Sequence, residues 1–196
     1  MTVFVLTGGR SERMGTDKAL LQLPSGETML EHAMALGASV AREVCVVGPL
    51  ERYASYAWAG KIIEDVFPGR GPLGGIHAAL SNTQTDWNLI FAVDMPLLTA
   101  ALLRWLVDRA KEYEAVVTIP HADGRLQTLC GVYRRDFGAE AQKELEAGLN
   151  KIDSIYTRVS TRVIEEDELR GAAFGPELFA NCNNKDEMRK LLGIGS

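Results

Sequence analysis

The segment Leu6-Thr7-Gly8-Gly9-Arg10-Ser11-Glu12-Arg13-Met14-Gly15-Thr16-Asp17-Lys18 decides how this chain folds. It continues the apolar run Val3-Phe4-Val5-Leu6, which predicts a buried first strand. The glycine pair lets the backbone leave strand geometry and approach a ligand closely. Exposed backbone N–H groups, together with Arg13 and Lys18, form a suitable cradle for a polyphosphate. We therefore predict a phosphate-binding loop, with an ordinary glycine-rich connection as the alternative.

Two common phosphate-binding motifs do not fit this loop. A P-loop needs G-x-x-x-x-G-K-[ST], whereas the interval from Gly9 to Gly15 is too long and Ala19 follows Lys18. A Rossmann fingerprint needs G-x-G-x-x-G at the first turn, which Gly8-Gly9 does not supply. The loop is therefore of another type.

Apolar runs alternate with amphipathic segments along the first part of the chain. We predict strands over residues 44–47, 61–64, 88–93 and 115–119, and helices over 28–40, 51–58, 76–80 and 99–111. The second part is less regular, with strands at 126–133 and 161–164, an extended piece at 179–183, and helices at 135–148, 150–156 and 184–192. This order predicts an α/β fold, a Rossmann-like three-layer sandwich with a mainly parallel sheet. The aromatic residues of the 51–58 helix are interpreted as packing residues rather than a stacking platform.

Composition limits the class of protein. The 196 residues are 46% hydrophobic and 24% charged with a net charge of −5, which suits one domain spanning 1–196 and excludes global disorder. The sequence contains no Lys/Arg run of the kind that indicates nucleic-acid binding and no apolar run long enough to indicate a membrane span. The three cysteines show neither metal-site nor disulfide spacing. With no signal peptide evident, we expect a cytoplasmic location.

Two carboxylates follow predicted strands. Asp94 comes directly after the apolar fourth strand and before Pro96, where it is suited to holding Mg²⁺ through oxygen. The alternative role for Asp94 is a helix N-cap or turn residue. Asp65 follows the third strand, and its position alone does not indicate a function. Because ligands of open α/β sheets bind beyond the carboxyl ends of strands, we expect both to lie near the Gly8–Lys18 loop.

A second glycine motif supports a different function. The string Gly69-Arg70-Gly71-Pro72-Leu73-Gly74 satisfies G-x-G-x-x-G, and Asp94 lies 20 residues beyond Gly74, where a ribose-binding acid would be expected. Against a dinucleotide site, Pro72 has no N–H to offer a pyrophosphate. An NAD(P)-binding oxidoreductase therefore remains an alternative.

The first loop resembles the signature L-A-G-G-x-S-x-R-M-G-x-x-K of the molybdenum cofactor guanylyltransferase family. Leu6, Gly8, Ser11, Met14 and Lys18 are among the matching positions, and Thr7 replaces Ala. Members of the wider superfamily that use pyrimidine nucleotides tend to carry L-A-A-G, so Gly8 favours guanine. Further matches are the D-x-P at Asp94, Asp65, the R-G-P-L-G-G-I string, and N-x-N at Asn181 and Asn183. Where some members carry a nucleotide-contacting Asn, this chain has Gly48-Pro49.

The resemblance implies a nucleotidyltransferase of nucleotide-diphospho-sugar transferase type. It implies catalytic roles for Asp94, Lys18 and Arg13, and a Mg²⁺ cofactor on Asp94. It implies nucleotide binding by Leu6, Thr7, Gly8, Gly9, Lys18, Asp65 and Asp94. It implies second-substrate binding by Gly71, Pro72, Leu73, Gly74, Asn181 and Asn183.

The implied reaction joins GTP to molybdopterin or molybdenum cofactor and releases pyrophosphate. Residues 1–112 would bind the nucleotide and residues 113–196 the acceptor, and molybdoenzyme apoproteins or their chaperones would receive the product. The alternatives are a sibling transferase using CTP on a pterin or an NTP on a sugar phosphate, and a non-catalytic GTP-binding module.

Overall fold

A computed structural model describes residues 1–8, 17–56, 60–191 and 193 of the chain. Its strands are β1 (Thr2–Leu6), β2 (Glu43–Val47), β3 (Lys61–Ile63), β4 (Trp87–Ala92), β5 (Val117–Ala122), β6 (Arg125–Leu126), β7 (Cys130–Arg134) and β8 (Thr161–Ile164). Its α-helices are α1 (Met29–Ala38), α2 (Leu50–Tyr53), α3 (Pro72–Ser81), α4 (Ala100–Tyr113), α5 (Phe137–Glu146), α6 (Asp153–Tyr156), α7 (Glu166–Gly171) and α8 (Lys185–Leu191). Two short 3₁₀ helices cover Lys18–Leu20 and Pro176–Phe179.

The strands form one twisted sheet in the order β3-β2-β1-β4-β7-β5-β6, and β8 pairs with β5. Strands β1 to β4 are mutually parallel, as are β5 and β8, whereas β7 runs antiparallel to both β4 and β5. Strand β5 therefore points in the same direction as β4, and their carboxyl ends lie at the same edge of the sheet.

Helices cover both faces of the sheet because its central strands are apolar on both sides. Val3 and Val5 of β1 pack on the face covered by α1 and α4, whereas Phe4 and Leu6 pack on the face covered by α3 and α5. Side chains alternate across a strand, so one apolar run supplies two cores. The predicted three-layer α/β sandwich with a mainly parallel sheet is confirmed.

Several helix boundaries follow from capping. Helix α1 begins after Thr28, whose side chain and that of Glu31 form a capping box. Thr99 caps α4 through its hydroxyl alone, which accepts from Leu102 N. Both helices agree with the predicted ones to within two residues at each end.

Other predicted boundaries were wrong. Helix α3 begins at Pro72 rather than near residue 76, because Pro72 occupies the first helical position and Gly71 turns the chain with φ +67°. The predicted 126–133 strand divides into β6 and β7, because the Gln127 amide bonds to Pro120 O and its side chain bonds to Ala122 O. The predicted helix over 51–58 was too long, because α2 ends at Tyr53 and residues 54–56 are not helical; residues 57–59 lie outside the described part.

The connection after β8 also differs from the prediction. Helix α7 was not predicted, and the expected extended piece at 179–183 starts as the end of a 3₁₀ helix at Phe179. Both short elements pack through one large side chain, Leu169 or Phe179, which is too weak a signal for periodicity. Among the described residues, no helix has the length and apolar character that a membrane span requires.

Candidate active site

The carboxyl ends of the parallel strands come together at one edge of the sheet. Leu6 is in register with Val47 on one side and with Ala92 on the other, and Val47 is in register with Ile63. The residues that follow these strands, including Thr7, Asp65 and Asp94, are therefore neighbours along that edge. The structure brings together the chain segments that the sequence placed at strand ends.

Lys18 and Asp94 form an ion pair at this edge. Lys18 Nζ lies 3.7 Å from Asp94 Oδ2 and also donates a hydrogen bond to Asn183 Oδ1. The backbone oxygen of Asp94 accepts a hydrogen bond from Cys182 N at 2.7 Å. The end of the first loop, the end of β4 and the segment before α8 thus meet at one point.

Burial and the charge of Lys18 act on Asp94 in opposite directions. Burial raises the pKa of Asp94 above its ordinary value, and the positive charge of Lys18 opposes that rise. The Asp94 side chain is 21% exposed, so the carboxylate is poorly solvated but remains open to a ligand. A cation bound there would relieve the cost of holding this charge out of water.

The donor set at this point suits Mg²⁺. Among the described residues, no group of three or more His, Cys, Asp and Glu side chains could hold a metal ion. Mg²⁺ does not need such a cage, because proteins often bind it through one or two carboxylates together with substrate phosphates. The single accessible carboxylate of Asp94 beside Lys18 fits that pattern.

The first loop is described at both of its ends. The Leu6 oxygen accepts from Val93 N, and Thr7 N donates to Val47 O, each at 3.0 Å, so these groups belong to the sheet. Gly8 is exposed, and a Cβ there would meet nothing within 4 Å. Two candidate residues of this loop, Gly9 and Arg13, lie outside the described residues.

Asp65 lies against the beginning of helix α3. Its Oδ1 accepts from Phe67 N at 2.8 Å, and its Oδ2 lies 2.5 Å from where a Cβ of Gly74 would be. This contact explains Gly74, since any side chain there would displace the carboxylate. It also counts against a dinucleotide site, because a pyrophosphate bound at the start of α3 would face the negative charge of Asp65.

The other second-substrate candidates differ in exposure. Gly71 and Pro72 are exposed at the start of α3, whereas the Leu73 side chain is fully buried in the core. Asn181 is exposed, and Asn183 is bonded through its N and Nδ2 to Glu187 Oε2. Leu73 therefore contributes packing, and Asn183 connects α8 to Lys18.

A cavity of about 220 Å³ lies beyond the carboxyl end of β5. It opens beside the β5–β6 hairpin, where Asp123 and Gly124 turn the chain with φ +54° and +68°. Its lining side chains include Asp123, Arg125, Gln127, Glu177 and Phe179. Ala180, which also lines it, lies two residues before the Cys182 amide that bonds to Asp94. The sequence did not single out Arg125, and its only signal was an Asp-Gly hairpin turn beside a cation.

Comparison with known proteins agrees with this geometry. A family model described as the MobA-like NTP transferase domain matches residues 3–162. A protein of Carboxydothermus hydrogenoformans, described as a probable molybdenum cofactor guanylyltransferase, is 34% identical over all of this chain and 97% of its own.

Solved structures share the fold. Molybdopterin-guanine dinucleotide biosynthesis protein A of Archaeoglobus fulgidus superposes with a TM-score of 0.82 at 25% identity, covering 99% of this chain and 98% of its own. A manganese complex of Rv0371C from Mycobacterium tuberculosis has a TM-score of 0.65 at 17% identity, covering 99% and 98%. The second likeness shows the fold alone. The family model covers most of the chain and the relative matches its whole length, so this chain belongs to the family of MobA-like NTP transferase domains.

Proposed function

We propose that this chain is a molybdenum cofactor guanylyltransferase. An oxygen of the terminal phosphate of molybdopterin or molybdenum cofactor attacks the α-phosphorus of GTP. The bond from that phosphorus to the bridging oxygen breaks, which gives the guanine dinucleotide cofactor and pyrophosphate. The observation that carries the proposal is the Lys18–Asp94 pair, 3.7 Å apart, at the sheet edge directly after the first loop.

The reaction does not require a general base from the protein. A phosphate monoester carries about −1.5 to −2 charge at pH 7, so the nucleophile is already ionised. The contributions of the protein are positioning and neutralisation of charge. Lys18 and Arg13 would neutralise the charge that develops on the pyrophosphate, and Asp94 would hold Mg²⁺. When bound, Mg²⁺ supplies positive charge to phosphate oxygens.

Selection of the nucleotide base, guanine, is assigned to the first loop. Leu6, Thr7, Gly8 and Gly9 border the nucleotide, and Gly8, exposed and without a side chain, leaves space for it to approach the backbone. Asp65 contacts the nucleotide from the α3 side of the same edge. Residues 1–112 form the nucleotide-binding half.

Residues 113–196 form the acceptor-binding half. The cavity beside the β5–β6 hairpin offers Arg125 to an anionic group and lies close to Asn181, while Gly71 and Pro72 border the same edge from α3. Arg125→Ala is expected to raise the KM for the cofactor about 10-fold and to leave the KM for GTP unchanged, because one charge-assisted contact is lost. Initial rates at varied acceptor concentration measure this effect. Equal changes in both KM values would contradict the assignment of the cavity.

The cellular setting follows from the chemistry. The three buried free thiols are consistent with a reducing compartment, and we place the protein in the cytoplasm. Molybdoenzyme apoproteins or their chaperones would receive the product.

Titration calorimetry with GTP, CTP, UTP, ATP and NADPH, each with and without Mg²⁺, tests the proposal, followed by a product assay with molybdopterin. Mg²⁺-dependent binding restricted to GTP, with pyrophosphate release, would support it. A preference for CTP or UTP would indicate the sibling transferase and refute the inference from Gly8. Binding of NADPH alone would indicate an oxidoreductase, and GTP binding without turnover a binding module.

A further inference from the structure

Tyr53 is a buried residue whose hydroxyl group points at the first loop. It is the last residue of α2 and is 0% exposed, yet its hydroxyl donates a hydrogen bond to Asp17 Oδ2 at 2.9 Å. Burial raises the pKa of Tyr53 to about 12. The phenol therefore stays protonated at neutral pH and remains a donor.

Asp17 sets the position of Lys18. Its Oδ1 accepts from Ala19 N at 3.0 Å and caps the 3₁₀ turn Lys18–Leu20, and its backbone oxygen accepts from Leu20 N at 3.1 Å. Its Oδ2 takes the Tyr53 hydrogen bond and lies 3.5 Å from Arg52 Nη1. Both carboxylate oxygens are thus held, one by the turn that carries Lys18 and the other by α2.

Thr7, at the other described end of the loop, lies beside the ring of Tyr53 across Gly48. Its N and Oγ1 both donate to Val47 O at 3.0 Å. Gly48 makes this possible, because a Cβ there would lie 2.0 Å from Thr7 Oγ1 and 3.1 Å from Tyr53 Cε2. The absence of a side chain at Gly48 leaves the space that the Thr7 hydroxyl occupies.

We propose that Tyr53 is a positioning residue that ties Asp17 to the core and so holds Lys18 at Asp94. Asp17 is joined to one rigid ring of the core, whose rotamer is fixed by burial. The inference deepens the proposed function, on which its catalytic meaning rests. It assigns a role in the reaction to a residue that does not touch substrate.

The test is Tyr53→Phe, which removes one oxygen atom and keeps the ring. We expect kcat to fall about 10- to 100-fold with little change in KM for GTP, because a small misplacement of a charged group costs this much. Tyr156→Phe is the matched control, since its hydroxyl also bonds inside the core, to the Tyr133 hydroxyl at 2.9 Å. If both variants lose stability equally but only Tyr53→Phe loses kcat, the effect is positional.

Hydrogen exchange supplies a readout independent of activity. The amides of Ala19, Leu20 and Leu21 are bonded within the 3₁₀ turn, and we expect them to exchange faster in Tyr53→Phe and not in Tyr156→Phe. Asp17→Asn is the second variant, because its amide NH₂ cannot accept from the phenol if Oδ1 keeps its cap. The Asp17→Asn variant should show the same faster exchange and lower kcat as Tyr53→Phe.

The outcomes separate this inference from the proposed function. Faster exchange in the turn together with a lower kcat supports the positioning role. If exchange in the turn is unchanged in both Tyr53→Phe and Asp17→Asn, the positioning role is overturned. It is also overturned if exchange becomes faster while kcat stays unchanged. If Tyr53→Phe speeds exchange but the wild-type protein turns over no GTP, the proposed function is refuted. The structural link from Tyr53 to the turn of Lys18 is then kept.

Discussion

Replacement of Asp94 by Asn separates the function of this carboxylate from its effect on stability. The side chain keeps its shape and loses its charge. If Asp94 holds Mg²⁺, the variant loses several kcal/mol of transition-state stabilisation, and a loss of about 4 kcal/mol corresponds to about a 10³-fold lower kcat. We therefore expect the kcat of Asp94→Asn to be about 10³-fold below that of the wild-type protein.

The same change is expected to stabilise the fold. At 3.7 Å the Lys18–Asp94 attraction is about 4.5 kcal/mol at an effective dielectric of 20. The pKa of Asp94 is nevertheless raised, so the cost of burying the charge exceeds this attraction. Asp94→Asn removes both effects, and we expect Tm at pH 7 to rise by up to about 4 °C.

The sign of the pH dependence follows from linkage. Because folding raises the pKa of Asp94, the native state binds this proton more tightly than the unfolded chain does. The ionised carboxylate therefore costs stability at neutral pH, and the cost disappears as pH falls through the raised pKa toward and below the ordinary value of 3.8. The gain from Asp94→Asn should likewise vanish in acid.

The assay combines pyrophosphate release with thermal unfolding at several pH values, and Asp136→Asn serves as a control. Asp136 is an exposed carboxylate paired with Arg134 at 3.6 Å, away from the strand-end residues. It should keep full activity and an unchanged Tm. An Asp94→Asn variant with wild-type kcat would refute the metal-holding role. A Tm lowered at pH 7 would refute the argument that burial outweighs the ion pair.

Two further predictions concern the same edge of the sheet. Lys18→Met removes the positive charge that holds the pKa of Asp94 down, so the acid limb of the kcat/KM profile should move to higher pH, and an unmoved limb would contradict the pairing. Gly74→Ala places a Cβ 2.5 Å from Asp65 Oδ2 and 3.0 Å from a backbone oxygen, and it should cost about 1–3 kcal/mol of stability and weaken GTP binding about 10-fold. Gly171→Ala, whose Cβ would meet nothing within 4 Å, is its matched control in calorimetry and thermal unfolding, and equal effects of the two would exclude the Asp65 contact.

Short-range features made most of the elements predictable. The alternation of apolar runs with amphipathic segments gave the strand and helix order, and the Thr28 capping box marked the start of α1. Where local signals competed, the prediction was wrong. Gly74-Gly75 disfavours a helix by propensity, yet α3 starts at Pro72 because burial of Leu73 and Ile76 outweighs that preference.

The candidate site was predictable as a set of segments and not as an arrangement. The residues around Lys18 and Asp94 could be identified because they follow apolar strands and match the signature of a family. The cavity beside Arg125 was not predicted, because its walls come from a hairpin turn and a 3₁₀ helix more than 40 residues apart in the sequence.

The sequence by itself determined the class of fold and the family and predicted a phosphate-binding loop, because these depend on periodicity and on residues close together in the chain. Only the tertiary structure decided that Lys18 lies between Asp94 and Asn183, a partner 165 residues away, and that Tyr53 donates a hydrogen bond to Asp17. Such contacts depend on strand order and register. Local patterns of polarity leave both undetermined, and the packing of the whole sheet fixes them.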